Sequence, residues 1–333
     1  MPTVALDLLG GDGAPEVVAD AVVHVLEGVR QPTGDAVPDL LVVGPPDLAR
    51  DLLLARGVGR ESVEVVPAGR AVGMDDDPLA VIRAHDDVTV SVAARLVARG
   101  RADAWVSVGH TGAAVAAAVL ELGRLAGMSR PALAVVVPAL AGPVVLLDVG
   151  AAPDATPDLL RQFAVAGCAY AQSLGIADPG VGLLTIGGEA GKGDRLRRSS
   201  QDLLEEVMAP RGVRYVGPVE GHDVALGRRA QVVVTDGFTG NVLLKGLEGA
   251  VQWSAARMGQ AYPDPAAAWQ VVVDTATSDF AGGMLLGVDG VTVVGHGAGT
   301  AEEIAACVRL AGLRVLARLG GGDFGELQRR RRG

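Results

Sequence analysis

Short runs of Val and Leu alternate along the sequence with longer segments of helical period, which predicts an α/β protein built as a three-layer α/β/α sandwich. Two further observations support this. The apolar runs are continuous, as strands covered by helices on both faces require, so the sheet is expected to be mostly parallel. In addition, nearly every Gly-rich motif follows such a run and enters a helical segment, the position where open α/β sheets place their ligands.

In chain order, Val4–Leu9 reads as the first strand. Gly10-Gly11-Asp12-Gly13 follows, with a helix opening at Pro15, where proline suits the first turn. In that helix Val18, Val22, Val25, Leu26 and Val29 keep the three-and-four spacing of one buried face. Further strands are expected at Leu40–Val43, Val63–Val66, Ala104–Val108, Ala132–Val137, Val144–Val149, Val181–Ile186, Val213–Val216, Gln231–Thr235 and Val291–Val294, with helices filling most of the intervals. Thr300 with Glu303 forms a capping box ahead of a last helix running to about Leu319. The stretches 31–38 and 261–266 read as surface loops, so 1–333 is expected to form a single α/β catalytic domain, with 242–282 as a helical protrusion.

Composition narrows the function. Of 333 residues 49% are hydrophobic, but only three Trp, three Tyr and four Phe are present, so the core must be built from Val, Leu and Ala. A formal net charge of −10 argues against nucleic-acid binding, which needs a broad basic face, and the run Arg329 to Arg332 is too short to change that. No long uncharged apolar stretch reads as a membrane span, and a strand starting at Val4 leaves no room for a signal peptide. Cys168 and Cys307 fall in apolar helical patterns and imply a reducing compartment, so a cytoplasmic protein is expected. The basic residues are almost all Arg. The two lysines, Lys192 and Lys245, and the single asparagine, Asn241, all fall in two Gly-rich windows, 187–194 and 236–245. An ammonium is a compact point charge that the planar fork of Arg does not replace.

The candidate loops are Asp7–Gly13, Ser107–Gly112, Asp148–Gly150, Gly187–Asp194, Asp236–Asn241 and Gly295–Thr300. Glycines let backbone N–H groups approach an anion, and a helix N-terminus adds its positive end. Taken singly, each loop reads more readily as a tight turn than as a ligand site; six of them at one sheet edge reverse that reading and point to phosphate or oxyanion binding. Gly191-Lys192 lacks the earlier Gly and the following Ser or Thr of a nucleoside-triphosphate loop, and Gly295-His-Gly-Ala-Gly-Thr300 departs from the dinucleotide fingerprint at its last Gly. No Gly-x-Ser-x-Gly nucleophile elbow is present. The histidines His24, His85, His110, His222 and His296 lack metal-ligand spacing; His24, in the first helix, reads as structural. Neither a metal nor a cofactor is expected.

In order along almost the whole chain, the set of motifs resembles the phosphate acyltransferases of bacterial phospholipid synthesis. It comprises Ala5–Pro15, Ala104–Ala113, Leu147–Ala151, Gln162–Ala164, Gly191–Gly193, Val219–Gly221, Val232–Lys245, Leu285–Val288 and His296-Gly297. The Asp236-Gly-Phe-Thr-Gly-Asn-Val242 run is the most specific of these. The resemblance implies transfer of an acyl group from an acyl-carrier-protein thioester to inorganic phosphate. It also implies an isocitrate/isopropylmalate dehydrogenase-like or phosphotransacetylase-like fold, a homodimer and peripheral membrane association. Where the family usually carries Asn, this sequence has His110, Ala152 and Thr185, and Ala84–Thr89 replaces a basic stretch ending in Asp-Ser-Ser.

Phosphate is itself the nucleophile in such a reaction, so positioning and electrostatics suffice. Lys192 is assigned to phosphate neutralisation or oxyanion stabilisation, against a plain reading as a solvated loop lysine. Asn241 is assigned to a hydrogen bond that orients the thioester carbonyl or the phosphate, against a reading as a helix N-cap. Lys245 reads equally as an ion-pair residue. The phosphate and substrate set is completed by Gly10, Gly11, Gly109, Thr111, Gly112, Gly191, Gly193, Gly237, Phe238, Thr239, Gly240 and Gly297, with His110 and His296 as possible phosphate contacts. Glu189 and Asp236 are candidates to orient the lysine or its loop, and Asp7 and Asp12 to do so for the first loop. An acidic carrier protein needs a local basic patch, for which Arg195, Arg198, Arg228 and Arg229 are candidates alongside a reading as ordinary surface charge. The segment 248–273, with Trp253, Met258, Tyr262 and Trp269, reads as a dimer interface or a membrane-facing helix. Two alternatives remain: a phosphotransacetylase-like enzyme using a coenzyme A thioester, and a weakly catalytic scaffold that binds carrier protein or membrane.

Overall fold

The protein is described by a computed structural model covering residues 1–28, 38–189, 191–211, 213–261 and 282–319, with 266 and 270. The chain divides into two compact units, Met1–Leu125 with Ala281–Gly321, and Ala126–Phe280 with Gly322–Gly333. Each is an α/β layer structure with a mostly parallel sheet, as the continuous apolar runs require.

The first unit contains β1 (Thr3–Asp7), α1 (Glu16–Gly28), β2 (Asp39–Gly44), α2 (Pro46–Ala55), β3 (Glu64–Pro67), α3 (Pro78–Ala84), α4 (Thr89–Ala98), β4 (Ala104–Ser107) and α5 (Thr111–Glu121). Its later part supplies β10 (Gly283–Leu286), β11 (Val291–Val294) and α10 (Ala301–Leu319). Its strands run in the order β3-β2-β1-β4-β11-β10, parallel except for β10 against β11. Helix α1 buries Val18, Ala19, Val22 and Val25 along one face, as its spacing dictates, and His24 is exposed on the other. Asp77 caps α3 ahead of Pro78, and the Thr300–Glu303 capping box opens α10 with both reciprocal bonds made. Trp105, Leu6 and Leu8 lie wholly inside.

The second unit contains β5 (Ala132–Ala139), β6 (Gly142–Leu147), α6 (Pro157–Ser173), β7 (Val181–Leu184), α7 (Arg195–Met208), β8 (Tyr215–Val219), α8 (Gly221–Leu226), β9 (Val232–Val234) and α9 (Gly237–Ala261). Strand order is β5-β6-β9-β7-β8, and only the β5–β6 pair is antiparallel. Two residues, Leu140 and Ala141, join β5 to β6; so short a connection permits only a hairpin. Thr156 caps α6, whose Leu160, Phe163, Ala164 and Tyr170 fill the core.

Several expected boundaries move. Strand β10 was not anticipated, because Gly282-Gly-Met-Leu-Leu-Gly287 reads as a turn-rich loop. The strand expected at Val213–Val216 lies at Tyr215–Val219: Gly217 and Pro218, which look like terminators, are carried past a register shift opposite Val181 and Gly182. Strand β6 stops at Leu147, leaving Asp148 and Val149 to the following loop. The protrusion expected over 242–282 is described as helix only through α9; Tyr262 and Trp269, like most of 31–38 and 261–266, lie outside the described residues. No helix among the described residues is long and apolar enough to cross a membrane.

Phe163 is fully buried in α6. Phe163→Ala is expected to cost about 3–5 kcal/mol through lost burial and the cavity left behind, read as a shift in the denaturant midpoint at unchanged slope.

Candidate active site

In the first unit, the loops after β1, β4 and β11 converge on a buried carboxylate. Asp7 closes β1 and is 3% exposed; it accepts the Ser107 hydroxyl at 2.8 Å and the Leu9 N–H at 3.1 Å. Burial pushes its carboxyl above the ordinary value, against hydrogen bonds from Thr89, Ser107 and the Leu9 and Gly10 backbone. Gly10 lies against the Gly109 backbone, and Asp12 N–H donates to the Gly297 carbonyl at 2.8 Å, so three of the expected loops meet. A small pocket here is lined by Asp7, Gly10, Thr89, Ser107, Gly109 and His110, among others. His110 is occupied: its Nδ1 accepts the Ala113 N–H and caps α5, which Thr111 and Gly112 begin. His296 is exposed and its Nδ1 accepts the Ala298 N–H.

In the second unit, Asp148 follows β6 with no exposed surface. It gathers the N–H groups of Leu133, Gly150, Ala151 and Ala152 at 2.5–3.1 Å. Burial raises its carboxyl, and those four donors pull the other way. The Asp236–Asn241 segment packs directly onto this loop. Gly237 N–H donates to the Ala152 carbonyl, and a Cβ at Gly240 would sit 1.9 Å from the Asp148 carbonyl oxygen, so only glycine fits there. Asn241 donates its Nδ2 to the Val149 carbonyl at 3.1 Å. It is not the N-cap that its residue type allowed, because Asp236 holds that place, accepting the Thr239 N–H at 2.9 Å. One Asn241 N–H and its Oδ1 remain uncommitted among the described residues.

Asp236 is 6% exposed and bonds Thr239 Oγ1 at 2.9 Å and the guanidinium of Arg197. Burial alone would raise its carboxyl, but the Thr239 backbone and hydroxyl bonds, together with Arg197, hold it below the ordinary range. Arg197, 7% exposed, also reaches Thr235 and Thr239 hydroxyls, the Leu184 carbonyl and Asp194. Lys192 stands on the loop between β7 and α7, exposed, with its stem over Gly187 and no hydrogen bond or ion pair to its ammonium among the described residues. Glu189, also exposed, accepts the Lys192 N–H through its backbone carbonyl. Lys245 is an ion-pair residue, 2.8 Å from Glu248.

Thus the expected residues fall in two places, Asp7, Gly10, Gly11, Asp12, Gly109, His110 and Gly297 in one unit, and in the other Asp236 to Asn241 after β9 and Gly191, Lys192 and Gly193 on the loop after the neighbouring strand β7. Phe238 points outward, 68% exposed. Of the basic candidates, Arg195 and Arg228 are exposed, Arg198 donates to the Gly193 carbonyl, and Arg229 pairs with Asp223. Arg197 was not singled out in the sequence, and Ser107 only as the first residue of its loop. Arg197 sits in a run, Arg195-Leu-Arg-Arg198, that resembles surface charge; the signal was its spacing with Ser200, Leu204 and Met208, a single buried face. Cys168 and Cys307 are buried, and burial pushes both thiols up to about 12, which keeps them protonated at neutral pH. No cluster of His, Cys, Asp and Glu among the described residues is arranged to hold a metal ion.

Because the folded carboxyl of Asp236 lies below its unfolded value near 3.8, its contribution to stability is complete above that pH and is lost as pH falls through the folded value. Asp236→Asn is expected to destabilise by about 3–5 kcal/mol at neutral pH, the range for stripping one partner from a buried pair. The gap to the parent should begin to narrow as pH falls below about 4 in denaturant titrations.

Residues 2–317 match the family model described as fatty acid synthesis protein. A protein named phosphate acyltransferase from Thermobifida fusca is 40% identical over 333 residues, covering 96% of this chain and 89% of its own. One of the same name from Heliobacterium modesticaldum is 39% identical over 323 residues, covering 92% of each. Among solved structures, the EutD phosphotransacetylase from Staphylococcus aureus shares the fold, with a TM-score of 0.60 at 14% identity over 94% of each chain. A phosphotransacetylase from Streptococcus pyogenes does so at a TM-score of 0.60 and 17% identity, covering 95% of this chain and 94% of its own. The chain therefore belongs to the fatty acid synthesis protein family and is an acyltransferase.

Proposed function

We propose that this acyltransferase moves a fatty acyl group from an acyl-[acyl-carrier-protein] to inorganic phosphate, giving acyl phosphate for phospholipid synthesis. The observation that carries the reading is an uncommitted ammonium, Lys192, on the loop after β7, with Asn241 just beyond the neighbouring strand β9. A phosphate oxygen attacks the thioester carbonyl carbon, the carbonyl electrons collect on oxygen, and collapse of the tetrahedral species expels the thiolate, which takes up a proton. Lys192 offsets the charge of phosphate or of the developing oxyanion, and the free N–H of Asn241 orients the acceptor oxygen. In the other unit the Asp7, Ser107 and Gly109 cradle, with Gly297, shapes a second substrate-binding surface.

The carrier protein is read as docking on Arg195, Arg198, Arg228 and Arg229, whose heads lie at or near the surface. On α9 only Gly237, Gly240 and Ala255 are buried, and Trp253 is 67% exposed. That uncovered face supports pairing of two copies, or peripheral contact with the inner face of the membrane, through 248–273.

Purified protein given palmitoyl-carrier protein and phosphate should form acyl phosphate, trapped as the hydroxamate, only when phosphate is present. Lys192→Ala is expected to lower the rate by about 100-fold or more with an unchanged melting temperature, since the side chain makes no contact that folding needs. Turnover with palmitoyl-coenzyme A alone would replace the carrier protein with coenzyme A as donor. Binding of carrier protein without turnover of either donor would reduce the chain to a scaffold.

A further inference from the structure

We infer that Arg197 is a positioning residue that clamps the Lys192 loop and the Asn241 helix start into one rigid unit, and so sets the geometry for acyl transfer to phosphate; this rests on the function proposed above. Every nitrogen of its guanidinium is engaged. Nε donates to the Leu184 carbonyl, where β7 ends and the Lys192 loop begins. Nη1 donates to Asp194 at 2.9 Å, and the Arg197 backbone N–H donates to the same carboxylate, where that loop ends. Nη2 crosses to the other segment, bonding Thr235 Oγ1 at 2.8 Å, Thr239 Oγ1 at 3.1 Å and the Asp236 carboxylate. One side chain thus holds both ends of the 185–194 loop and the first turn of α9.

The loop is shaped around this side chain. Gly193 has φ +99, and a Cβ there would lie 2.6 Å from the Arg197 Cβ and 2.7 Å from Thr185 Oγ1. The chain must turn tightly over Arg197 immediately after Lys192, in the left-handed region that glycine adopts without cost. A lysine at 197 would carry the charge but not the fork, because its donors all leave one nitrogen, whereas Leu184, Asp194 and Asp236 are each met by a different nitrogen of the guanidinium. Arg197 itself is too enclosed to meet substrate; it acts through the groups it holds.

The test uses the full chain, with Arg197→Met, Arg197→Lys and the milder Thr239→Val, each checked for folding by circular dichroism and melting. In folded Arg197→Met, kcat should fall by about 100-fold, the usual consequence of misplacing reacting groups by about 1 Å, while KM for phosphate shifts by less than about threefold. Arg197→Lys should recover only part of that loss. In a Lys192→Ala background Arg197→Met should cost clearly less than in the parent, because one of the two groups it positions is gone and only Asn241 is left to misplace. Should Arg197→Met not fold, Thr239→Val should show the same kcat-only loss to a smaller degree. Amide exchange in Arg197→Lys should quicken together in 185–194 and 237–241. Parent-like kcat in a folded variant, additive losses with Lys192→Ala, or exchange changing in one segment alone would overturn the clamp. Absence of acyl phosphate from the parent protein would sink the proposed reaction instead, and the exchange experiment would still decide whether the two segments are coupled.

Discussion

Three buried aspartates anchor the backbone that leaves β1, β6 and β9, and the candidate site is built on those anchors. Asp7 closes β1, Asp148 follows β6 and Asp236 follows β9, and each accepts at least one backbone N–H from the residues just after it, loop residues for Asp7 and Asp148 and the first turn of α9 for Asp236. A chain leaving a covered strand must satisfy its own backbone donors before it can turn, and a carboxylate, with room for about four acceptor contacts, does this for several at once. Burial of the charge opposes the arrangement. The outcome differs by site: where a guanidinium is supplied, at Asp236, the carboxylate is held low, and where only hydroxyls and N–H groups are supplied, at Asp7 and Asp148, it is pushed up.

These anchors also explain why the glycines of the site belong together. Once Asp148 has drawn its loop inward, its carbonyl oxygen occupies the space that a side chain at Gly240 would need. The Asn241 segment can therefore reach the Asp148 loop closely enough for the carboxamide to bond Val149. Charge, backbone satisfaction and close approach are consecutive steps of one assembly.

The fold was legible where the sequence pattern reports burial directly. Continuous apolar runs gave most strands of both units, and the spacing of Val18, Val22 and Val25 gave α1. It was illegible where glycine and proline sit inside a strand: β10 hides in a Gly-rich stretch, and the bulge that admits Gly217 and Pro218 into β8 depends on a partner strand distant in sequence. At the candidate site, residue type singled out Lys192, Asn241 and Asp236, and the structure places them on the loops after the neighbouring strands β7 and β9. Residue type was insufficient for Arg197, because a charged residue in an arginine run looks solvated unless the buried period of its helix is traced through Ser200 and Leu204. His110 has a use that residue type did not signal: its Nδ1 caps α5 while the residue lines the pocket beside Asp7, Ser107 and Gly109.

The scarcity of aromatic residues has an optical consequence. Trp105 is sealed in the core of the first unit, with its indole N–H unpartnered among the described residues, whereas Trp253 stands in solvent on α9 of the second. An indole in a dry apolar setting emits to the blue of one in water, so these two of the three tryptophans differ in colour as well as in place. A red shift on excitation then reports opening of the first unit's interior, and a blue shift reports something coming to rest on α9. With Trp269 replaced by Phe, the molecule carries its own two-channel fluorescence gauge without any label.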